Sequence, residues 1–465
     1  MTAARKRQTK SHSTKTGAST RRTKQATPPA STPSQQPPSG KVANGPIFAE
    51  PSITPDPTKY TTPHASDSKA YAEMDALIKA SKFLPLPFPP VTGVPEPVLT
   101  LAAALGSGGE SATEKVQQNG RIVFHCAGDT GATRGPKTEN EVVDKLLSDF
   151  QGETPDALPQ FFYNLGDIVY SFGEHKYYYD QFYDAYRGYP RPIFAIPGNH
   201  DGIVLPPPAG AGGTSLSAFL ANFCAPGFLH SPDSVGISRT TMIQPGVYFT
   251  LEAPFVRILG IYSNMLENPG VISSTQVNGV AKFSDLTDVQ LDYLKAALSR
   301  VKSDNFDGAV IIAVHHPPYA FGKHSGSMVM LKEIDVICDE TGVWPHAILS
   351  GHAHNYQRFT RQLGSRQIPF IVCGNGGHGL QKLTKTTIRT PQEFKLFEQP
   401  ERKDVVTFES YDDTNYGYLR ILIDPKQLRI EYHPASDGAG TKTPDDSATV
   451  NLADGTLIHY NAPAA

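Results

Sequence analysis

The chain has 465 residues, with 42 Lys or Arg against 45 Asp or Glu and a formal net charge of −3. That length has room for one large or two ordinary domains. Mean hydropathy is −0.32, and no stretch approaches the roughly 20 apolar residues of a spanning helix, which excludes a helical membrane protein.

The charge is unevenly spread. Residues 1–41 carry nine Lys or Arg and no acid, leaving 33 basic against 45 acidic groups in the rest. Residues 1–65 are rich in Ser, Thr, Pro, Gln and Lys, a composition that cannot build a core and predicts a disordered, solvated leader. The basic tail has no aromatic side chain to stack on bases, so nucleic-acid contact through it is the lesser alternative. No apolar run follows the N-terminal charge, as a signal peptide requires, and Thr, Lys, Gln and Pro follow Arg21-Arg22 where a twin-arginine signal needs one. The expectation is a soluble protein whose compartment is open, the cytoplasm being one candidate. Cys126, Cys224, Cys338 and Cys373 form no Cys-x-x-Cys pair. Three lie in apolar runs and read as buried thiols, with a disulfide left open.

Residues 67–82 have the spacing of an amphipathic helix with Tyr71, Met74, Leu77 and Ile78 on one side. A Pro-rich stretch to 97 and a Gly/Ser loop at 106–112 lead to the first strong strand, so 66–115 reads as a helix and Pro-rich connector packing on a main domain of 116–440. Residues 441–465 read as a C-terminal extension. Within the domain, strands are expected at 122–127, 161–165, 192–196, 256–262, 309–314, 347–349, 368–373, 405–408, 417–423 and 428–432. Helices are expected at 139–150, at a Tyr-rich 175–186, and at 284–301 with Ser284 as cap. Strand and helix alternate first and strands dominate late, which predicts an α/β layered sandwich with mixed β-sheets.

Five motifs each end an apolar β-like run: Gly-Asp-Thr-Gly (128–131), Gly-Asp-Ile-Val-Tyr (166–170), Gly-Asn-His-Asp (198–201), Val-His-His-Pro-Pro (314–318) and Gly-His-Ala-His (351–354). Together they offer Asp129, Asp167, Tyr170, Asn199, His315, His352 and His354. A donor set without Cys disfavours a structural zinc knot and favours a hydrolytic centre for harder cations. A single Gly-Asp is usually only a β-turn; five such motifs in order are hard to obtain by chance. Glycine before the Asp or His lets the chain turn sharply off the strand, and His352 and His354 face the same way if extended. Loops past strand C-termini are where open α/β sheets place their sites.

These motifs resemble the calcineurin-like metallophosphoesterases, whose ordered signature is D-x-H, G-D-x-x-D, G-N-H-D/E, a strand-end His and G-H-x-H. Two departures are similar to the purple acid phosphatase branch: Gly131 where the general family has His, and Tyr170 where it often has Asp or Glu. The resemblance covers roughly 120–435 and implies a four-layer αββα sandwich. It further implies that Asp129, Asp167, Tyr170 and His354 hold one ion, and that Asp167, Asn199, His315 and His352 hold the other, with Asp167 bridging and His315 rather than His316 as the ligand. A phenolate, carboxylates and an imidazole suit Fe(III), and the second set suits divalent Fe, Zn or Mn. The implied activity is an acid phosphatase hydrolysing phosphomonoesters by in-line attack of a metal-bound hydroxide. A phosphodiesterase of the same superfamily, or a non-catalytic binding protein on that scaffold, are the alternatives. His200 is expected to hydrogen-bond a phosphoryl oxygen or the bridging carboxylate. His324 is expected to steady the phosphate or protonate the leaving group, and Asn199 to touch substrate as well. Gly374–Gly379 looks like a phosphate-cradling loop with His378 on its rim. Members of the resembled family are commonly exported.

Overall fold

Five apolar runs that end in the motifs become parallel strands of two β-sheets. The computed structural model describes residues 41–50, 60–61, 65–80, 82–93, 95–204, 214–274, 276–277, 280–383, 392–399, 402–438 and 440–459. Ile122–Ala127, Ile193–Ala195, Ala309–Val314 and Ala347–Ser350 are buried at every position. Continuous burial of this kind belongs to parallel strands covered on both faces.

The first sheet has six strands in the order Asp446–Asn451, Gln427–Pro434, Gly417–Ile423, Ile122–Ala127, Pro159–Asn164 and Ile193–Ala195. The last three are mutually parallel, and Gly417–Ile423 runs antiparallel to Ile122–Ala127. The second sheet has nine strands, with Val256–Ile261, Ala309–Val314, Ala347–Ser350 and Arg366–Cys373 parallel at its centre. The sheets face one another, with the helix pair Val289–Ser303 and Met328–Thr341 on the larger and Lys137–Ser148 on the smaller. This mixed α/β sandwich is the architecture the residue pattern predicts. Among the described residues no helix is long and apolar enough to cross a membrane.

Several local expectations need correction. The segment read as a Gly/Ser loop is helical: Leu101–Leu105, capped by the Thr100 hydroxyl accepting from Ala103 N, is followed by Gly109–Gln118. The helix expected from Ser284 begins at Val289, after Asp288, because Leu286 turns into a separate apolar cluster. The Tyr-rich segment is a 3-10 turn, His175–Tyr177, and a π-helical turn, Tyr179–Tyr183. Residues 446–451 add the edge strand of the six-stranded sheet. Most of the expected disordered leader lies outside the described residues, but 41–50 is built into the fold. Lys41–Val42 pairs with Leu229–His230, Ile47 exchanges hydrogen bonds with Thr240, and the Glu50 carboxylate accepts from Ser238 N at 2.6 Å. Backbone pairing of this kind needs no apolar pattern, so composition could not reveal it. All four cysteines are free thiols, with Cys126, Cys338 and Cys373 buried.

The helix expected at 67–82 spans Ala65–Lys79 and is termed α1. Its Met74 and Ile78 are buried with Phe172, Ile203, Met265, Leu266, Val271, Phe283 and Leu286. Asp67, itself buried, accepts from the Tyr177 hydroxyl at 2.8 Å. Helix α1 thus sits on the loops that carry the second and third motifs.

Candidate metal centre

Every strand that precedes a motif ends at the same edge of the sandwich, three in the smaller sheet and two in the larger. The five loops converge there. Asp129, Asp167 and His352 adopt left-handed backbone, with φ of 56°, 56° and 68°. Such conformations are costly for residues with a Cβ and persist where the surroundings enforce them. His352 is therefore not extended, and the pair His352/His354 converges for a reason other than strand alternation.

The seven donor side chains form two adjoining groups. In one, the Tyr170 hydroxyl lies 3.0 Å from Asp129 Oδ1 and 3.4 Å from His354 Nε2, and that nitrogen is 3.4 Å from Asp129 Oδ1. In the other, Asn199 Oδ1 is 3.1 Å from both His315 Nε2 and His352 Nδ1, and His315 Nε2 is 3.3 Å from Asp167 Oδ2. Asp167, His315 and His352 each bring a donor atom within 4.8 Å of the others.

Packing fixes which atom each ring presents. His315 Nδ1 donates to Leu165 O at 2.8 Å and His354 Nδ1 donates to Gly379 O at 3.0 Å, so each turns Nε2 toward the centre. A carbonyl behind an imidazole in this way sets tautomer and orientation at metal sites. His316, by contrast, uses both ring nitrogens on Ser263 Oγ and Leu266 O. The difference separates His315 from its neighbour on chemical grounds.

Tyr170 is held with equal care. Gln181, from the π-helical turn, accepts from Tyr170 N at 2.9 Å and donates to Tyr170 O at 3.0 Å. The phenol ring stacks on His378 with centroids 3.6 Å apart. Gly131 explains why no His follows Asp129 by two residues. A Cβ there would come within 2.6 Å of Gln181 Oε1 and 3.1 Å of the Ile168 carbonyl carbon, so the Tyr170 loop fills the space a side chain would need.

Electrostatics follow from burial and crowding. Burial, with neighbouring imidazoles, holds His316, His324, His352 and His378 below the ordinary imidazole range. Neutral rings keep the lone pair that a cation requires. Burial works against charge on His315, yet Asp167 and Asp129 raise it to about 9; a cation among the same atoms would compete with that proton. Burial, Asp129 and Asp167 push the Tyr170 phenol well above its usual range. Asp201 accepts from Gly198 N, Ile168 N and Val169 N, tying the second motif to the third.

The residues present fit a bound cation. His352 Nε2 is buried with no hydrogen-bond partner, a costly state for a polar atom, and Asp167 Oδ2 is buried with no directed hydrogen bond, 3.3 Å from His315 Nε2 in an ion pair. Asp167 and His352 both belong to the three-residue donor group described above.

Beside these groups lies a cavity of about 750 Å3, whose wall includes Asp167, Tyr170, His200, His324, His352, His354 and His378. His200 donates to Asp167 Oδ1 through its backbone N at 2.8 Å, not its ring. The ring bonds Ser171 O through Nδ1 and faces the Tyr71 hydroxyl through Nε2 at 3.2 Å. His324 Nε2 contacts Gln381 Nε2 at 2.8 Å, and its Nδ1 is buried without a hydrogen bond. In the expected phosphate cradle at 374–379, the Gly374, Gly376 and His378 N–H groups donate to Asn355, Gly128 and Asp129 carbonyls, while Gly377, His378 and Gly379 line the cavity wall. The segment is a strap beneath Asp129, with no amide left for a ligand at Gly374, Gly376 or His378.

Two cavity residues had no sequence signal. Glu267 follows a strand without a glycine or histidine to mark it, and Tyr71 read only as part of an apolar helix face. Glu267 accepts from Asn199 Nδ2 at 3.3 Å and from the Tyr71 hydroxyl at 2.8 Å.

The chain is similar to several known proteins. A stretch of 159 residues is 24% identical to tartrate-resistant acid phosphatase type 5 of Oryctolagus cuniculus, covering 34% of this chain and 43% of that protein. The chain therefore spans less than half the length of this relative. Among solved structures, GAP50, described as the anchor in the inner membrane complex of Plasmodium, is similar at 13% identity with a TM-score of 0.44, over 71% of this chain and 89% of that one. A structure of PhoD is similar at 13% identity with a TM-score of 0.40, over 74% and 72% of the two chains. The model of the calcineurin-like phosphoesterases matches residues 122–356, the segment that holds all five motifs. The chain belongs to the calcineurin-like phosphoesterase family.

Proposed function

We propose that the protein is a binuclear-metal acid phosphatase acting on phosphomonoesters, with Fe(III) and a divalent ion (Fe, Zn or Mn) as its metals. The observation that carries this reading is the gathering of seven donor side chains into two adjoining groups, with donor atoms of Asp167, His315 and His352 within 4.8 Å of one another. Asp129, Asp167, Tyr170 and His354 would hold Fe(III), and Asp167, Asn199, His315 and His352 the divalent ion, with Asp167 shared. The partial match to an acid phosphatase and the exchange of Gly131 and Tyr170 support the iron-binding branch. Two cations there supply an acidic water and positive charge against the phosphoryl oxygens.

The chain's own residues do the rest. Gly198 and Asp201 fix the turn that presents Asn199, and His200 N holds Asp167 Oδ1 in place. The His200 and His324 rings, both on the cavity wall, meet the phosphoryl group. His324 would hydrogen-bond a phosphoryl oxygen or a leaving-group oxygen, and Lys323 adds positive charge to the same wall.

The test is elemental analysis of protein made in iron-replete medium, together with turnover of a phosphomonoester and a phosphodiester. Two ions per chain, at least one of them iron, with faster monoester hydrolysis, is the expected result. Two ions without iron would remove the iron assignment. Faster diester turnover would make the protein a phosphodiesterase, and no turnover of either would leave a binding protein.

A further inference from the structure

Asn199 can present either end of its amide, and only the oxygen can bind a cation. Three contacts decide the matter. Oδ1 faces His315 Nε2 and His352 Nδ1 at 3.1 Å each, while Nδ2 points away and donates to Glu267 Oε2 at 3.3 Å. The same Glu267 oxygen accepts from the Tyr71 hydroxyl at 2.8 Å. Its other oxygen lies 3.8 Å from His324 Nδ1 and 3.9 Å from Lys323 Nζ. Glu267 is buried, so it depends on these partners to keep its carboxylate in one orientation.

Tyr71 comes from α1, outside the segment matched by the family model. Its ring stacks on His200 with centroids 4.8 Å apart, and Met74 and Ile78 anchor the helix in the apolar cluster below. The hydroxyl is thus delivered to Glu267 by a helix packed on that cluster.

We infer that Tyr71 and Glu267 are positioning residues for the metal centre, acting in series: Tyr71 holds Glu267, and Glu267 turns the Asn199 amide so that its oxygen faces the divalent ion. The inference rests on the proposed function only in taking Asn199 as a ligand. Groups behind a ligand typically set metal affinity by 10–100-fold. Helix α1 is on this account part of the metal centre rather than a connector.

The experiment uses the full chain, stripped with a chelator and titrated with Mn(II) alone and with Zn(II) alone, ion affinity and stoichiometry being the readouts. Tyr71→Phe keeps the ring on His200 and removes only the hydroxyl. It should weaken one of two sites about 10-fold and leave the other unchanged. Glu267→Ala should weaken the same site at least as much, and the double variant should lose no more than Glu267→Ala alone. Wild-type affinity in both single variants overturns the inference. So does additive loss in the double variant, or equal loss at both sites with a matching fall in melting temperature. A wild-type protein that binds two ions but turns over no phosphoester would overturn the proposed function and leave these comparisons readable.

Discussion

The Tyr170 hydroxyl donates to Asp129 Oδ1 across 3.0 Å. The two residues come from neighbouring parallel strands, Ile122–Ala127 and Pro159–Asn164, and their loops are locked together at Gly131. A Cβ on that glycine would run into the Ile168 carbonyl and Gln181. Gly131 and Tyr170 are therefore one structural exchange: the loop that brings in the phenol occupies the volume a side chain at 131 would need.

A phenolate on Fe(III) should give the protein a visible charge-transfer band. Burial and two carboxylates keep this phenol protonated on its own, so only a strongly charged cation would ionise it. Tyr170→Phe preserves the stack on His378 and should abolish the band while far-UV circular dichroism stays unchanged. Iron-loaded, oxidised wild-type protein without colour would show that Tyr170 is a packing residue.

The sequence disclosed the strands and the convergent motifs because both are local signals. An apolar run such as Ala309–Val314 is visible without its neighbours, and a glycine before Asp129 or His352 announces a turn. Glu267 and Tyr71 were illegible because their role exists only after residues nearly 200 positions apart are brought together. The strap at 374–379 was legible only in part. Its glycines look like ligand-cradling residues, but close packing against Asp129 and Thr130 explains Gly374, Gly376 and Gly377. Residues 41–50 join the fold through backbone hydrogen bonds and Glu50, which leave no periodic trace.

Removing residues 1–40 should leave melting temperature and metal content unchanged, since that segment has no aromatic or large aliphatic side chain beyond Met1 to add to a core. Removing residues 1–80 should lower both. It takes away Met74 and Ile78, each worth about 1.5–3 kcal/mol when buried, and exposes Phe172, Met265 and Leu266 beside the site. Thermal melting and metal analysis of the two truncations check this. Equal behaviour would mean that α1 contributes nothing to the cluster beneath it.

Glu139 offers a test of pH dependence away from the donor set. It lies fully buried in the first turn of Lys137–Ser148. Burial, and then the nearby carboxylates Asp180 and Asp184, raise its carboxyl well above the usual range; a hydrogen bond from the Ala132 backbone only partly opposes them. The fold therefore keeps a proton that the unfolded chain releases above about pH 4.3. Stability must fall as pH rises from that value toward the folded one, because there the native state binds more protons than the unfolded state. Glu139→Gln keeps the shape and removes the titration. It should stabilise the protein by on the order of 1 kcal/mol or more at pH 8, since each tenfold difference in proton affinity between the folded and unfolded chain is worth about 1.36 kcal/mol. The gain should shrink as pH falls toward 4.5, where the unfolded chain also begins to take up the proton on Glu139. Melting curves of the two proteins across pH 4.5–8 measure the difference directly. A gain that does not vary with pH would mean that Glu139 titrates normally in the fold, and a loss at every pH would mean that the carboxylate holds a partner the amide cannot replace.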